Sequence, residues 1–154
     1  VMQRLGLPRK VETSKVRIGG GKDYPASEEE QRQFVKGLAE TTGSDQQMVE
    51  LLFERYGTLI KELLTESQPL EYLRTNKILT INELKYIAEK EKIVHLDDLL
   101  LRRTSIGWLG QVDNDSVGEI ADIAGDVLDW DETVKNQEIR RVKDIFKKNH
   151  TVVI

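Results

Sequence analysis

Two adjacent arginines, Arg102 and Arg103, raise the first chemical question in this 154-residue sequence. Guanidinium pairs can fork onto a phosphate or a carboxylate. They can equally finish a helix, and the stretch EKIVHLDDLLLRRTSIGW at 91–108 is patterned for that. Asp98 stands four residues before Arg102, the favourable acid-then-base spacing on a helix. Asp97 and Asp98 complement the positive start of a short helix beginning at Asp97, and both arginines complement its negative end. At helical offsets Leu96, Leu99, Leu100 and Arg103 share one side. A charge on a leucine face requires a carboxylate or a row of carbonyls, because an unpaired buried charge is costly. Glu91 is the first choice of partner, and Glu83 on the preceding helix the second. Glu83, Glu91, Asp98, Arg102 and Arg103 are therefore structural ion-pair candidates, with the Arg103 guanidinium at least half buried. On that basis Arg103→Ala costs roughly 3–5 kcal/mol. Removing Arg102, paired with Asp98 in solvent, costs less than ~1 kcal/mol. An interdomain contact and a ligand clamp are the other readings of the pair.

The remaining candidates fail on spacing. RIGGGKDYP suggests a phosphate loop, but that motif needs glycine where Val16 stands and Ser or Thr where Asp23 stands. The dinucleotide pattern would need glycine at Tyr24. A flexible turn is the plain reading of Gly19–Gly21. His95 and His150 are the only histidines, have no ligand spacing and read as surface or capping residues. Asp113, Asp115 and Glu119 resemble part of a calcium loop but lack its glycine and its twelfth-position glutamate. Asp126, Asp129, Asp131 and Glu132 cluster near a helix junction, where the last two suit a helix start. No catalytic, cofactor-binding or metal residue emerges.

The elements that carry these residues are helical. Ser27 followed by Glu28, Glu29 and Glu30 is a helix start, with Phe34, Val35 and Leu38 facing inward and Gly43 as the stop. Ser44 or Asp45 caps a second helix with Met48, Leu51, Leu52 and Tyr56 inward. Gly57 interrupts before a short third helix with Leu59, Ile60, Leu63 and Leu64. A connector with a short extended or turn segment fills 67–79. Thr80 with Glu83 forms a capping box for a helix burying Leu84, Ile87 and Ala88. Two longer helices run from about Asn114 to Asp129 and from about Asp131 to Lys148. Their stripes are Val117, Ile120, Ala121, Ala124, Val127 and Leu128, and then Val134, Ile139, Val142, Ile145 and Phe146. Val16-Arg17-Ile18 suits a short strand, and Val152-Val153-Ile154 is too short for one. The sum is an all-α fold, a compact bundle of about six helices behind an irregular N-terminal arm. The arm is 1–26 and the helical domain 27–150.

Composition narrows the class. With 38% apolar and 32% charged residues the chain reads as soluble and globular. The absence of cysteine excludes disulfides, thiolate metal sites and a cysteine nucleophile together, and fits a reducing compartment. The net charge of −4 hides an asymmetry. Residues 1–22 carry Arg4, Arg9, Lys10, Lys15, Arg17 and Lys22 against Glu12, whereas the rest of the chain is strongly acidic. Such an arm suits a linker docked on a neighbouring domain, and the acidic body argues against a nucleic-acid partner. Residues 80–104 can also be read as a helix–turn–helix presenting Arg102 and Arg103 to DNA. The acidic start of its second helix is wrong for meeting base edges. A free-standing helical interaction module is the broader alternative.

LTINELKYIAEKEKIVHLDDLLLRRTSIGW resembles the signature of the C-terminal helical domain of FAD-dependent glycerol-3-phosphate dehydrogenases and the related glycerophosphate oxidases. The matching residues are Thr80, Glu83, Tyr86, Glu91, Asp97, Asp98, Leu101, Arg102, Arg103 and Thr104. Trp130, Glu138 and Ile139 in VLDWDETVKNQEI match a later stretch, and KVRIGGGKDYP is similar to the segment that leaves the catalytic domain. His95 departs from the pattern, where threonine is more usual. The likeness spans about 14–148 and is densest at 80–108. It implies an accessory C-terminal domain packed against a preceding FAD-binding domain that holds the flavin and most of the substrate site. It implies that the parent passes a hydride from C2 of glycerol 3-phosphate to FAD, giving dihydroxyacetone phosphate, with electrons going on to quinone or oxygen. The same resemblance implies a cytoplasmic parent, peripheral to the inner face of the cell membrane. No family catalytic residue carries over to this chain, so it is expected to be inactive alone.

Overall fold

The computed structural model describes residue 16, residues 18–64, residues 70–151 and residue 154. Most of the basic arm (Arg4, Arg9, Lys10, Lys15 and Arg17, with Glu12) and Val152-Val153 lie outside the described residues. The fold is all-α, and among the described residues the only β pairing is one antiparallel bridge between Tyr72 and Thr80. The chain groups into two compact units, Val1–Ser67 and Gln68–Ile154. Residues 18–26, assigned above to the arm, belong to the first unit. Val16 and Ile18 are exposed and in no strand.

In the first unit α1 spans Glu28–Thr42, and its Ser27 cap accepts the Glu30 amide. Gly43, in the left-handed region at φ 66°, ends it. The second helix, α2, spans Gln46–Tyr56 and is capped by Asp45, which accepts the Met48 amide. A 3-10 turn at Gly57–Leu59 leads into α3, Ile60–Leu63. The buried face of α2 is Met48, Val49, Leu52 and Phe53, not the expected Met48, Leu51, Leu52 and Tyr56. Both sets have helical spacing. Phe53 decides between them, because Tyr24 stacks on it at 5.0 Å and Phe34 packs at 5.2 Å.

The second unit holds α4 (Ile81–Lys90), α5 (Asn114–Leu128) and α6 (Glu132–Asn149). Thr80 and Glu83 make the expected capping box. Leu84, Ile87, Leu96, Leu99, Leu100, Val117, Ile120, Ala124, Val142 and Phe146 form the centre of one hydrophobic core. The short helix expected from Asp97 is instead a single π turn, Asp98–Arg103. Its diagnostic bond runs from the Thr104 amide to the Leu99 carbonyl, five residues back, at 2.9 Å. The π turn is too short to serve as the recognition helix of a helix–turn–helix, which must lie along a groove.

Candidate functional site

The π turn gathers the polar residues singled out by the sequence, and each is satisfied within the second unit. The ends of its three leucines show how. A helix end leaves carbonyls without partners, and these must be paired when they are not in water. The Leu99 carbonyl takes both the Thr104 amide and the Thr104 hydroxyl, the latter at 2.7 Å. The Leu100 carbonyl takes the Gly107 amide at 3.1 Å. The Leu101 carbonyl takes the Trp108 indole N–H at 2.8 Å. Gly107 must be glycine for this approach, since a Cβ there would lie 2.6 Å from the Leu100 oxygen. Arg-Arg-Thr and Gly-Trp are thus two parts of one turn closure.

Asp98 holds the other end. Its Oδ2 accepts the amides of Val94 (3.2 Å) and His95 (3.1 Å), and its Oδ1 accepts Arg102 Nη1 at 2.9 Å. Burial pushes the Asp98 carboxyl up, but the His95 and Val94 amides and the Arg102 guanidinium together outweigh it and hold it below its ordinary value. Asp97, expected to share the role at the helix start, makes no capping bond. It turns to α6 and accepts Arg141 Nε at 2.8 Å. The Asp97 hydrogen bond, reinforced by its charge, raises the Arg141 pKa.

Arg103 reaches back to the end of α4. Its Nη1 lies 3.3 Å from Glu91 Oε2, and its Nη2 donates to the Glu91 carbonyl at 3.0 Å. The side chain is 39% exposed and that of Glu91 37%, so solvent screens the pair. The side chain is thus more than half covered, as its place on the leucine face requires, but the turn stops at Arg103 and leaves as extended backbone at Thr104. No further helical turn covers it. Glu83 is buried inside the α4 capping box, where it accepts the Thr80 amide.

Two residues of this network escaped the reading of charge and spacing. Glu138 on α6 accepts the buried Leu96 amide at 2.9 Å through Oε2 and contacts His95 Nδ1 at 3.0 Å through Oε1. Arg141 lies three residues on, on the same helix face. Their partners are more than 40 residues away in sequence, so no local spacing reveals them. The resemblance alone had marked Glu138. His95, read as an isolated residue, is one end of this contact.

The other weighed residues are structural as well. Asp113 caps α5 with Ser116, and Asp131 caps α6. Glu119 accepts the amides of Arg74 (2.8 Å) and Thr75 (2.9 Å) and the Thr75 hydroxyl (2.6 Å). Asp126 and Glu132 surround Lys135. Among the described residues no three His, Asp or Glu side chains are grouped to hold a metal. An open groove of about 390 Å³ beside α5 is lined by Arg74, Asn114, Glu119 and Asp122, and includes neither Arg102 nor Arg103. Among the described residues no helix is long and apolar enough to cross a membrane.

The arrangement is a clasp joining the end of α4, the π turn and α6. Its chemistry is that of holding a fold. The family model for the C-terminal domain of alpha-glycerophosphate oxidase matches residues 11–135, and the chain belongs to that family. The π turn and both arginines fall inside the match, whereas Glu138 and Arg141 lie just beyond it. No curated protein and no solved structure matches the chain.

Proposed function

We propose that this chain is the C-terminal accessory domain of an FAD-dependent glycerol-3-phosphate dehydrogenase or oxidase, whose whole polypeptide oxidises glycerol 3-phosphate to dihydroxyacetone phosphate. The family match over 11–135 carries the reading. The clasp is consistent with it, since Arg102 and Arg103 are engaged by Asp98 and Glu91 and serve the domain's own integrity. A flavin does not fit the glycine turn of this chain. A dinucleotide cradle needs backbone amides open to a pyrophosphate, and here the Gly20 backbone is closed against Gly57. The flavin and the chemistry therefore belong to the preceding FAD-binding domain, which is the partner we propose. Contact with quinone or the inner face of a cell membrane would come through that parent, in a cytoplasmic setting.

The test compares this chain with the longer polypeptide of which such a domain is part. The chain alone should purify colourless and give no glycerol 3-phosphate oxidation above a buffer control, with FAD and an artificial acceptor supplied. The longer polypeptide should be yellow and active. Turnover by the isolated chain, or a longer polypeptide that neither binds flavin nor oxidises this substrate, would overturn the proposal.

A further inference from the structure

We propose that residues 18–24 form a docked strap, locked by two glycines to the corner between α2 and α3 of the first unit. The plain reading of Gly19–Gly21 was a flexible turn. The geometry points to a rigid joint. Gly20 and Gly57 both have positive φ, 80° and 56°. Gly57 pairs that φ with ψ −136°, a region closed to other residues. A Cβ on Gly57 would lie 2.2 Å from the Gly20 oxygen, and one on Gly20 would lie 2.5 Å from the Tyr56 oxygen. Gly57 therefore excludes a side chain because the Gly20 backbone is there, and Gly20 excludes one because the Tyr56 carbonyl is there.

Thr58 closes the lock. Its amide donates to the Gly20 carbonyl at 3.0 Å. Its hydroxyl lies 3.1 Å from the same oxygen and 2.6 Å from the Lys22 carbonyl, where it donates most strongly. The turn is tied internally by the Gly21 amide on the Ile18 carbonyl at 3.1 Å. Tyr24 pins the far end by stacking on the buried Phe53 ring. Ile18 is 77% exposed, so backbone contacts and Tyr24, not its apolar side chain, hold the strap down. A backbone joint restricts direction where a linker would swing. Its use, holding the first unit in a fixed direction behind a preceding domain, rests on the reading above. The joint itself does not.

The experiment uses this chain alone and needs no flavin, so its failure is separable from failure of the proposed function. Amide exchange at Gly21 and tryptic cleavage after Lys22 are compared in wild type, Gly57→Ala, Thr58→Val and Gly43→Ala. Gly43 also has positive φ, but an added Cβ there meets nothing within 4 Å, so it controls for general strain. Gly57→Ala and Thr58→Val should speed both readouts by about tenfold or more through local opening, while Gly43→Ala leaves their ratio to global exchange unchanged. If Gly57→Ala does not fold, Thr58→Val decides. Wild-type Gly21 exchanging like an unstructured peptide, or Thr58→Val leaving both rates at the wild-type level, would overturn the joint.

Discussion

Arg103 returns to Glu91 twice, by its carboxylate at 3.3 Å and by its backbone carbonyl at 3.0 Å. The arginine is thus both an ion-pair partner and a cap on the C-terminal end of α4, where a cation suits the helix dipole. Because both side chains are over one-third exposed, screening reduces the 3–5 kcal/mol expected for a buried pair. Arg103→Ala should cost about 1–2 kcal/mol in urea unfolding. Glu91→Gln, which keeps the carbonyl, should cost less than Arg103→Ala. Equal losses would mean that the carbonyl contact contributes nothing.

Glu138 should matter more than any arginine of the clasp. It is buried and satisfies the Leu96 amide, which is itself fully buried. Glu138→Ala leaves that donor unpaired and should destabilise by about 2–4 kcal/mol. Glu138→Gln still offers an accepting oxygen and should recover a large part of the loss. His95 is 42% exposed, so His95→Ala should fall below about 1 kcal/mol. A His95 effect as large as that of Glu138 would place the weight on the wrong bond.

Acid should open the second unit through two carboxylates. Asp98 and Glu119 both have pKa values held below the ordinary range. For Glu119, burial opposes the shift, and the Thr75 hydroxyl, the Arg74 and Thr75 amides and the Arg74 charge outweigh it. A depressed folded pKa contributes stability that is present above the unfolded pKa and is lost as pH falls through the folded one. The loss should therefore develop below about pH 4–5. Urea midpoints measured from pH 6 to 3 should fall, and Asp98→Asn with Glu119→Gln should flatten the slope. An unchanged slope in the double variant would assign acid sensitivity to other groups.

The sequence reveals what local spacing determines. Ser27, the Thr80–Glu83 box and Gly43 were readable because a cap and its helix are neighbours in the chain. The partners of Arg102 and Arg103 were readable for the same reason, being four and twelve residues away. The π turn was not, since a six-residue segment with three leucines has no period long enough to separate one helical pitch from another. Nor was the α2 face, where two stripes satisfy the same offsets and Tyr24 and Phe34 choose between them. The Glu138 and Arg141 contacts and the Gly20–Gly57 approach join residues 37 or more positions apart, and only tertiary structure brings them together.

Glycines inside α5 provide a last test of packing. At Gly118 an added Cβ meets nothing within 4 Å, so alanine only removes unfolded-state freedom and should stabilise by about 0.5–1 kcal/mol. At Gly125 the new Cβ would lie 2.5 Å from Lys135 Cε. That lysine stem crosses the helix there, and its ammonium sits 3.5–3.6 Å from Asp122, Asp126 and Glu132. Burial opposes its charge, but the three acids outweigh it and raise the Lys135 pKa. The stem can shift, so Gly125→Ala should not unfold the unit. It displaces a side chain only 13% exposed, and that should cancel the helix-propensity gain and leave a net change between zero and about 1 kcal/mol destabilising. Combining Gly125→Ala with Lys135→Ala removes the clash and should restore most of the gain, relative to Lys135→Ala alone. Equal stabilisation by Gly118→Ala and Gly125→Ala in the wild-type background would show that Lys135 does not pack across Gly125 in solution.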